Sequence, residues 1–162
     1  MSASGTIALR RANPDEAASL TKLAVRSKRH WGYSDAFMRA AVSDMQVPAE
    51  VIAREHAVVA ERDGEVAGFY VLAVEAEGPT LRDLWVEPHA IGTGVGAVLW
   101  RDMLEAARAR GFHVVRIVSD PHAEGFYVKM GARRVGEIAS NVEPDRMLGV
   151  FESETSLTLR RP

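Results

Sequence analysis

The segment Leu81–Leu99, LRDLWVEPHAIGTGVGAVL, reads as an apolar strand, a proline break, a loop with alternating glycines at 92, 94 and 96, and then a helical pattern. That order of elements builds a pocket for a phosphate. A helix beginning near Gly94 leaves its first amides without intrahelical acceptors, and its aligned peptide dipoles place about half a positive charge there. Gly92, Gly94 and Gly96 remove the side chains that would hold phosphate oxygens away, and they tolerate positive φ where the chain curls. Apolar residues then fall at Val95, Val98, Leu99, Met103, Ala106 and Ala107, one face of a helix. Arg108, Arg110 and Gly111 supply a cationic last turn and a C-cap.

Several folds use glycine loops, and the flanking residues separate them. A Walker-type loop needs Lys followed by Ser or Thr after its last glycine, whereas this chain continues Ala97, Val98, Leu99, which excludes that reading. The dinucleotide pattern G-x-G-x-x-G/A is met by Gly92, Gly94 and Ala97, with Asp120 ending the next apolar run, where a ribose-binding acid would sit. Against it, Glu87 to Ile91 separate the strand from the first glycine, where that fold turns at once, and several strand-like runs precede the motif. On pattern alone the dinucleotide reading stays open.

From Leu84 to Ala132 the chain resembles the GNAT superfamily of acyl-CoA-dependent N-acetyltransferases. One family signature, a strand ending apolar-apolar-Val-x-Pro followed by Arg or Gln and x-x-G-x-G/A, is matched by Leu84, Trp85, Val86, Pro88, Ile91, Gly94 and Gly96. The second, N-x-x-A-x-x-F-Y-x-x-x-G-F, is matched by Asp120, Ala123, Phe126, Tyr127, Gly131 and Ala132. Three positions depart: Ile91 replaces the basic or amide residue, Asp120 replaces Asn and Ala132 replaces Phe. The first loses a side-chain contact to a pyrophosphate but leaves the backbone amides in place. The resemblance implies a mixed α/β fold, a splayed sheet of six to seven strands flanked by about four helices, as a single N-acetyltransferase domain over residues 5–160. It implies acetyl-CoA as acyl donor with no metal. The donor would contact Leu84, Trp85, Val86, Ile91, Gly92, Thr93, Gly94, Val95, Gly96, Ala97, Asp120, Ala123, Phe126 and Tyr127. In such a fold the pantetheine arm lies where two central strands part, bonded to the backbone of Leu84 and Val86.

Aminolysis of a thioester needs an uncharged amine, a stabilised oxyanion and a sulfur that leaves as thiolate or is protonated as it leaves. The resemblance puts Tyr127 beside the departing sulfur as general acid. A phenol of reference pKa about 10 can protonate a thiolate of about 8.5 only with help from geometry or environment. The alternative is that Phe126 and Tyr127 simply pack a short helix on the core. For the base, Asp83 stands among Leu81, Leu84 and Trp85, where burial would raise a carboxylate, or else it pairs with Arg82 or another cation at a strand end. Glu75 and Glu87, at strand edges or in loops, are weaker candidates. Asp120 either contacts the donor, as an acceptor only, or caps the helix beginning near Ala123, and both roles are compatible.

His30, Trp31, Gly32 and Tyr33 form the most unusual cluster outside this region. By resemblance the segment borders the acceptor site, so His30, Trp31 and Tyr33 are candidates to bind an amine by stacking; the competing reading is that Trp31 and Tyr33 staple two helices together. Ser27–Tyr33 resembles the Ser-Lys-x-His-Trp-Gly-Tyr segment of a bacterial branch of the family. The five histidines have no metal-ligand spacing, and His89 and His122 are placed either to touch phosphate or to be solvated.

The chain's 162 residues, 47% of them hydrophobic, suffice for one domain with a core. A balance of 22 acidic to 20 basic residues argues against a nucleic-acid partner. Cysteine is absent, which removes disulfides and thiol nucleophiles. No run approaches the roughly 20 apolar residues of a membrane span, and Met1–Gly5 lacks the apolar core of a signal peptide, so a cytoplasmic location is expected. The expected partner is a small-molecule amine or peptide acceptor. Oligomeric state is open, with a homodimer usual among relatives. Two further functions compete with the enzyme: a non-catalytic acyl-CoA sensor of the same fold and, on the glycine pattern alone, a dinucleotide-binding protein.

Local signals place the remaining elements. Asn13 caps a helix from Pro14, Ser34 caps another to about Val42, and Glu50–Glu55 forms one more turn. Strands are expected at Thr6–Arg10, Ala57–Arg62, Glu65–Val74, Thr80–Val86, Val114–Ser119, Arg133–Ile138 and about Arg146–Thr158, with a short helix at Ala123–Met130. Asp63-Gly64 is the strongest hairpin signal.

Overall fold

A computed structural model describes residues 5–156. The ends of the expected domain (157–160) and last strand (157–158), and residues 1–4 of the leader reading, lie outside the described residues. Seven strands, β1 (Ile7–Arg11), β2 (His56–Arg62), β3 (Glu65–Glu75), β4 (Gly78–Val86), β5 (Val114–Ser119), β6 (Arg133–Ala139) and β7 (Met147–Glu154), form one mixed sheet in the order β1-β2-β3-β4-β5-β7-β6. Five helices accompany it: α1 (Ala17–Arg29), α2 (Asp35–Ala41), α3 (Ala49–Arg54), α4 (Val95–Ala109) and α5 (Glu124–Lys129). Contacts divide the chain into two compact units. One holds the described residues up to Val71 together with Asp83–Leu99; the other holds Leu72–Arg82 and the described residues from Trp100 onward.

In the first unit the capping signals act as read. Asn13 accepts from the Asp15 amide at 2.8 Å while Glu16 accepts from the Asn13 amide at 2.8 Å, a reciprocal capping box that opens a short 3-10 turn ahead of α1. Arg10 of β1 grips the same Glu16 carboxylate with both terminal nitrogens, at 3.0 and 2.8 Å. Ser34 accepts from the Phe37 amide at 3.0 Å and starts α2. Asp63 and Gly64 both carry positive φ, 56° and 81°, the geometry a two-residue turn needs to match the twist of its strands. The β3 residues Ala67–Val71 are all buried, as befits a strand with neighbours on both edges.

The second unit contains the parallel junction of the sheet. There β4 runs parallel to β5, with Thr80 opposite Arg116, and β5 is paired antiparallel to β7 along its whole length, from Val114 opposite Glu154 to Ser119 opposite Gly149. The edge strand β6 is exposed throughout and bulges between Arg134 and Gly136, which blunts it against further pairing.

The buried face of α4 differs from the expected one. Val95, Leu99, Met103 and Ala107 are buried, but Trp100 and Leu104 join them, while Val98 and Ala106 are half-buried. Periodicity alone leaves the two flanks of the stripe equivalent; the indole of Trp100 removes more apolar area from water than Val98 and turns its own flank inward.

Gly68 of β3 allows the first turns of α4 to lie against the sheet within the first unit. A β-carbon there would stand 2.8 Å from the Trp85 carbonyl oxygen, 3.1 Å from Leu99 Cδ1 and 3.2 Å from Val95 Cγ1. We expect Gly68→Ala to lower unfolding free energy by about 1–3 kcal/mol, measured by urea denaturation; a variant as stable as wild type would show that this approach is not tight. The Arg10 hydrogen bonds, helped by the Asn13 amide and opposed by burial, hold the Glu16 carboxyl below its ordinary range. A depressed folded pKa contributes stability that is present above the unfolded value and lost as pH falls through the folded one. Glu16→Gln is therefore expected to cost up to about 1 kcal/mol at neutral pH and to flatten the fall in stability between about pH 5 and pH 3. Identical pH profiles for both proteins would refute this.

Candidate functional site

The glycine loop connects β4 to α4 in the first unit, and its geometry is that of an anion cradle. After Val86 the chain makes a 3-10 turn over Pro88–Ala90, with the Ala90 amide on the Glu87 carbonyl and the Ile91 amide on the Pro88 carbonyl. Gly92 and Gly94 follow at φ 81° and 96°, a region L side chains rarely enter, and among the described residues none beyond the flanking ones comes within 4 Å of the place a β-carbon would take at either. Gly96 is different. It lies inside the first turn of α4 without positive φ, so two of the three glycines make the curl, and the third belongs to the helix start.

Gly94 accepts the first helical bond, from the Val98 amide at 3.1 Å, so the amides of Val95, Gly96 and Ala97 have no acceptor within the helix. The Ile91 and Thr93 amides are already bonded to the Pro88 and Ala90 carbonyls, at 3.3 and 3.2 Å; these residues shape the loop. Amides at a helix start beside two side-chain-free positions fit a pyrophosphate.

One residue of this loop's support carried no sequence signal. Arg62, the last residue of β2, donates from Nη1 to Thr93 Oγ1 at 2.9 Å and from Nη2 to the Thr93 carbonyl at 3.1 Å. Thr93 Oγ1 in turn donates to the Ala90 carbonyl at 2.5 Å. Thirty-one positions separate Arg62 from Thr93, and no local pattern links them.

Also in the first unit, Asp83 is buried at 7% exposure and accepts from the Trp85 indole N–H at 3.1 Å. Leu84, Trp85 and Val86 are half-buried. Glu87 is held by Arg26 through two hydrogen bonds, at 3.1 and 2.5 Å, a pairing that suits a structural anchor better than a base. Glu75 is exposed. Tyr33 stacks on Phe37 of α2 at 4.3 Å and 14°, with Lys28 Nζ of α1 over its ring at 4.9 Å, which makes it a staple between the helices. Trp31 is 42% exposed and sets its edge against His30 at 5.0 Å.

The second signature lies in the second unit. Tyr127 is buried at 7% exposure among Trp100, Phe126 and Phe151, with ring centroids 5.7, 5.3 and 6.4 Å away. Asp120 does cap the following turn, accepting from the His122 amide at 2.8 Å. Its carboxylate also meets His122 Nδ1 at 3.1 Å and Arg146 Nη2 at 3.3 Å. Arg146, a residue the sequence did not single out as part of the site, thus sets a cation on this acid. His89 is exposed. Among the described residues no group of three or more His, Cys, Asp or Glu is arranged to hold a metal ion, and no helix is long and apolar enough to cross a membrane.

Residues 5–132 match the family described as acetyltransferase (GNAT) family. No curated protein matches the chain in sequence. Among solved structures, the chain is similar to the PaiA N-acetyltransferase of Thermoplasma acidophilum in complex with coenzyme A, with a TM-score of 0.76 at 16% identity, over 92% of this chain and 99% of that one. It is similar also to a GCN5-related N-acetyltransferase of Rhodopseudomonas palustris, with a TM-score of 0.77 at 21% identity, over 95% and 99%. A third likeness is to yncA of Salmonella typhimurium, solved with its cofactor acetyl-CoA, with a TM-score of 0.66 at 15% identity, over 93% and 94%. At such identities the likeness speaks for the fold.

Proposed function

This chain belongs to the GNAT acetyltransferase family, and we propose that it transfers the acetyl group of acetyl-CoA directly to a primary amine, as a single N-acetyltransferase domain. The observation that carries the reading is the loop at Gly92 and Gly94 opening onto the amides of Val95, Gly96 and Ala97, which suits the donor's pyrophosphate. The complexes of PaiA with coenzyme A and of yncA with acetyl-CoA support the same donor.

In the proposed reaction the amine nitrogen forms a bond to the thioester carbonyl carbon, and the carbon–sulfur bond breaks. The sulfur takes a proton from the Tyr127 phenol, and the nitrogen gives one up to Asp83 or to water. Exclusion of water round a buried phenol, as in the ring of Trp100, Phe126 and Phe151, strengthens its interaction with a developing thiolate. A ternary complex is sufficient, because no step needs a covalent link to the protein. Trp31, exposed beside His30, is the part of the aromatic segment suited to an amine acceptor by stacking. Tyr33 would act there by setting the angle between its helices.

Calorimetric titration with CoA, acetyl-CoA and NAD separates donor classes, and thiol release over a panel of amines separates an enzyme from a sensor. Binding of CoA without thiol release from any amine would favour the sensor; preference for NAD would overturn the family's activity here. Tyr127→Phe is expected to lower turnover about 100-fold, the contribution of one general acid, with CoA affinity within about threefold of wild type; unchanged turnover would remove the phenol from the mechanism. Gly94→Asp places a side chain and a negative charge at a positive-φ position of the cradle, so CoA binding should fall by at least about 100-fold. Retained affinity would mean that the phosphates bind elsewhere.

A further inference from the structure

We propose that Arg62 is a positioning residue for the donor's pyrophosphate: it acts through Thr93, holding the two-glycine loop in its binding shape and bringing to it the positive charge that Ile91 does not supply. The inference rests on the acetyl-CoA reading and adds a residue from outside both signatures.

Thr93 is the one residue with a side chain between Gly92 and Gly94, both at positive φ. Glycines on either side leave that segment more conformations than residues with side chains would, and that freedom must be given up when an anion is seated. Arg62 removes that freedom beforehand. Its two terminal nitrogens take the hydroxyl and the carbonyl of Thr93 in a fork, at 2.9 and 3.1 Å, and its Nε donates to the Gly5 carbonyl at 3.2 Å, which fixes the guanidinium on a second segment. The Thr93 hydroxyl passes the restraint on to the Ala90 carbonyl at 2.5 Å, closing the loop on the turn that precedes it. Preorganisation of this kind raises affinity by lowering the ordering cost of binding.

The charge argument is independent of the conformational one. Position 91, between the turn and the two glycines, holds isoleucine, which brings no charge to the loop. Arg62 sets a permanently charged group on the same loop from β2, and its hydrogen bond to the Thr93 carbonyl offsets a negative end that would otherwise repel a bound anion. Lysine could not make the fork, because an ammonium is a point donor.

The test is calorimetric titration of the full chain with CoA, using wild type, Arg62→Gln, Thr93→Val and the double variant, with thermal unfolding of each free protein. The expected result is about a tenfold loss of CoA affinity in Arg62→Gln, a melting temperature within about 2 °C of wild type, and a double variant no weaker than the worse single one, since both changes break one linkage. Wild-type affinity in Arg62→Gln would overturn the inference while leaving the acetyl-CoA reading intact. Fully additive losses would overturn it too, because Arg62 would then act independently of Thr93, and so would a melting temperature that falls in step with affinity. A wild-type chain that binds no CoA would sink the donor assignment and this inference together.

Discussion

The start of α4 is set by a close approach between backbone and helix, and the anion-binding reading depends on where that helix begins. Gly68 leaves room for the Trp85 carbonyl, Val95 and Leu99 to converge on one point of β3. With the first turns of α4 seated there, the unpaired amides of Val95, Gly96 and Ala97 have a definite position, and the dipole of a fifteen-residue helix stands behind them. A looser contact would leave the same glycines in the sequence but no fixed direction for the amides to point.

Attraction for a charged donor is local in this protein. The formal net charge is −2, so the molecule as a whole offers no field that draws anions, and long-range steering is screened within roughly 8 Å at physiological salt. What remains is short-ranged: backbone amides, a helix terminus and the guanidinium of Arg62 on Thr93. Elsewhere too, cations are spent on nearby carboxylates, as with Arg10 on Glu16, Arg26 on Glu87 and Arg146 on Asp120. The last pairing balances the charge of Asp120 within the second unit, while its other oxygen caps the turn that leads into α5.

Much of the fold was legible because the deciding signals were local. Asn13, Ser34 and Asp120 each satisfy amides two or three residues away, and Asp63-Gly64 demands positive φ at two successive residues, so neighbouring sequence suffices to read them. The two signatures were legible for the same reason, since each is one turn and one helix start. Distinctions needing a packing partner were not. Whether Trp100 or Val98 faces inward, whether Tyr33 staples helices or lines a surface, and whether Asp83 is buried all depend on groups brought near by folding.

By itself the sequence determined the order of strands and helices, the turn chemistry, the glycine loop and the family, because those properties follow from residue type and spacing along the chain. Only the tertiary structure decided that Gly96 belongs to the helix rather than to the curl, that Arg62 clamps Thr93 and that Arg146 answers Asp120. These partners stand 31 and 26 positions apart. A hydrogen bond between them exists only once the sheet has brought their strands and loops within about 3 Å, the range over which such a bond has any strength.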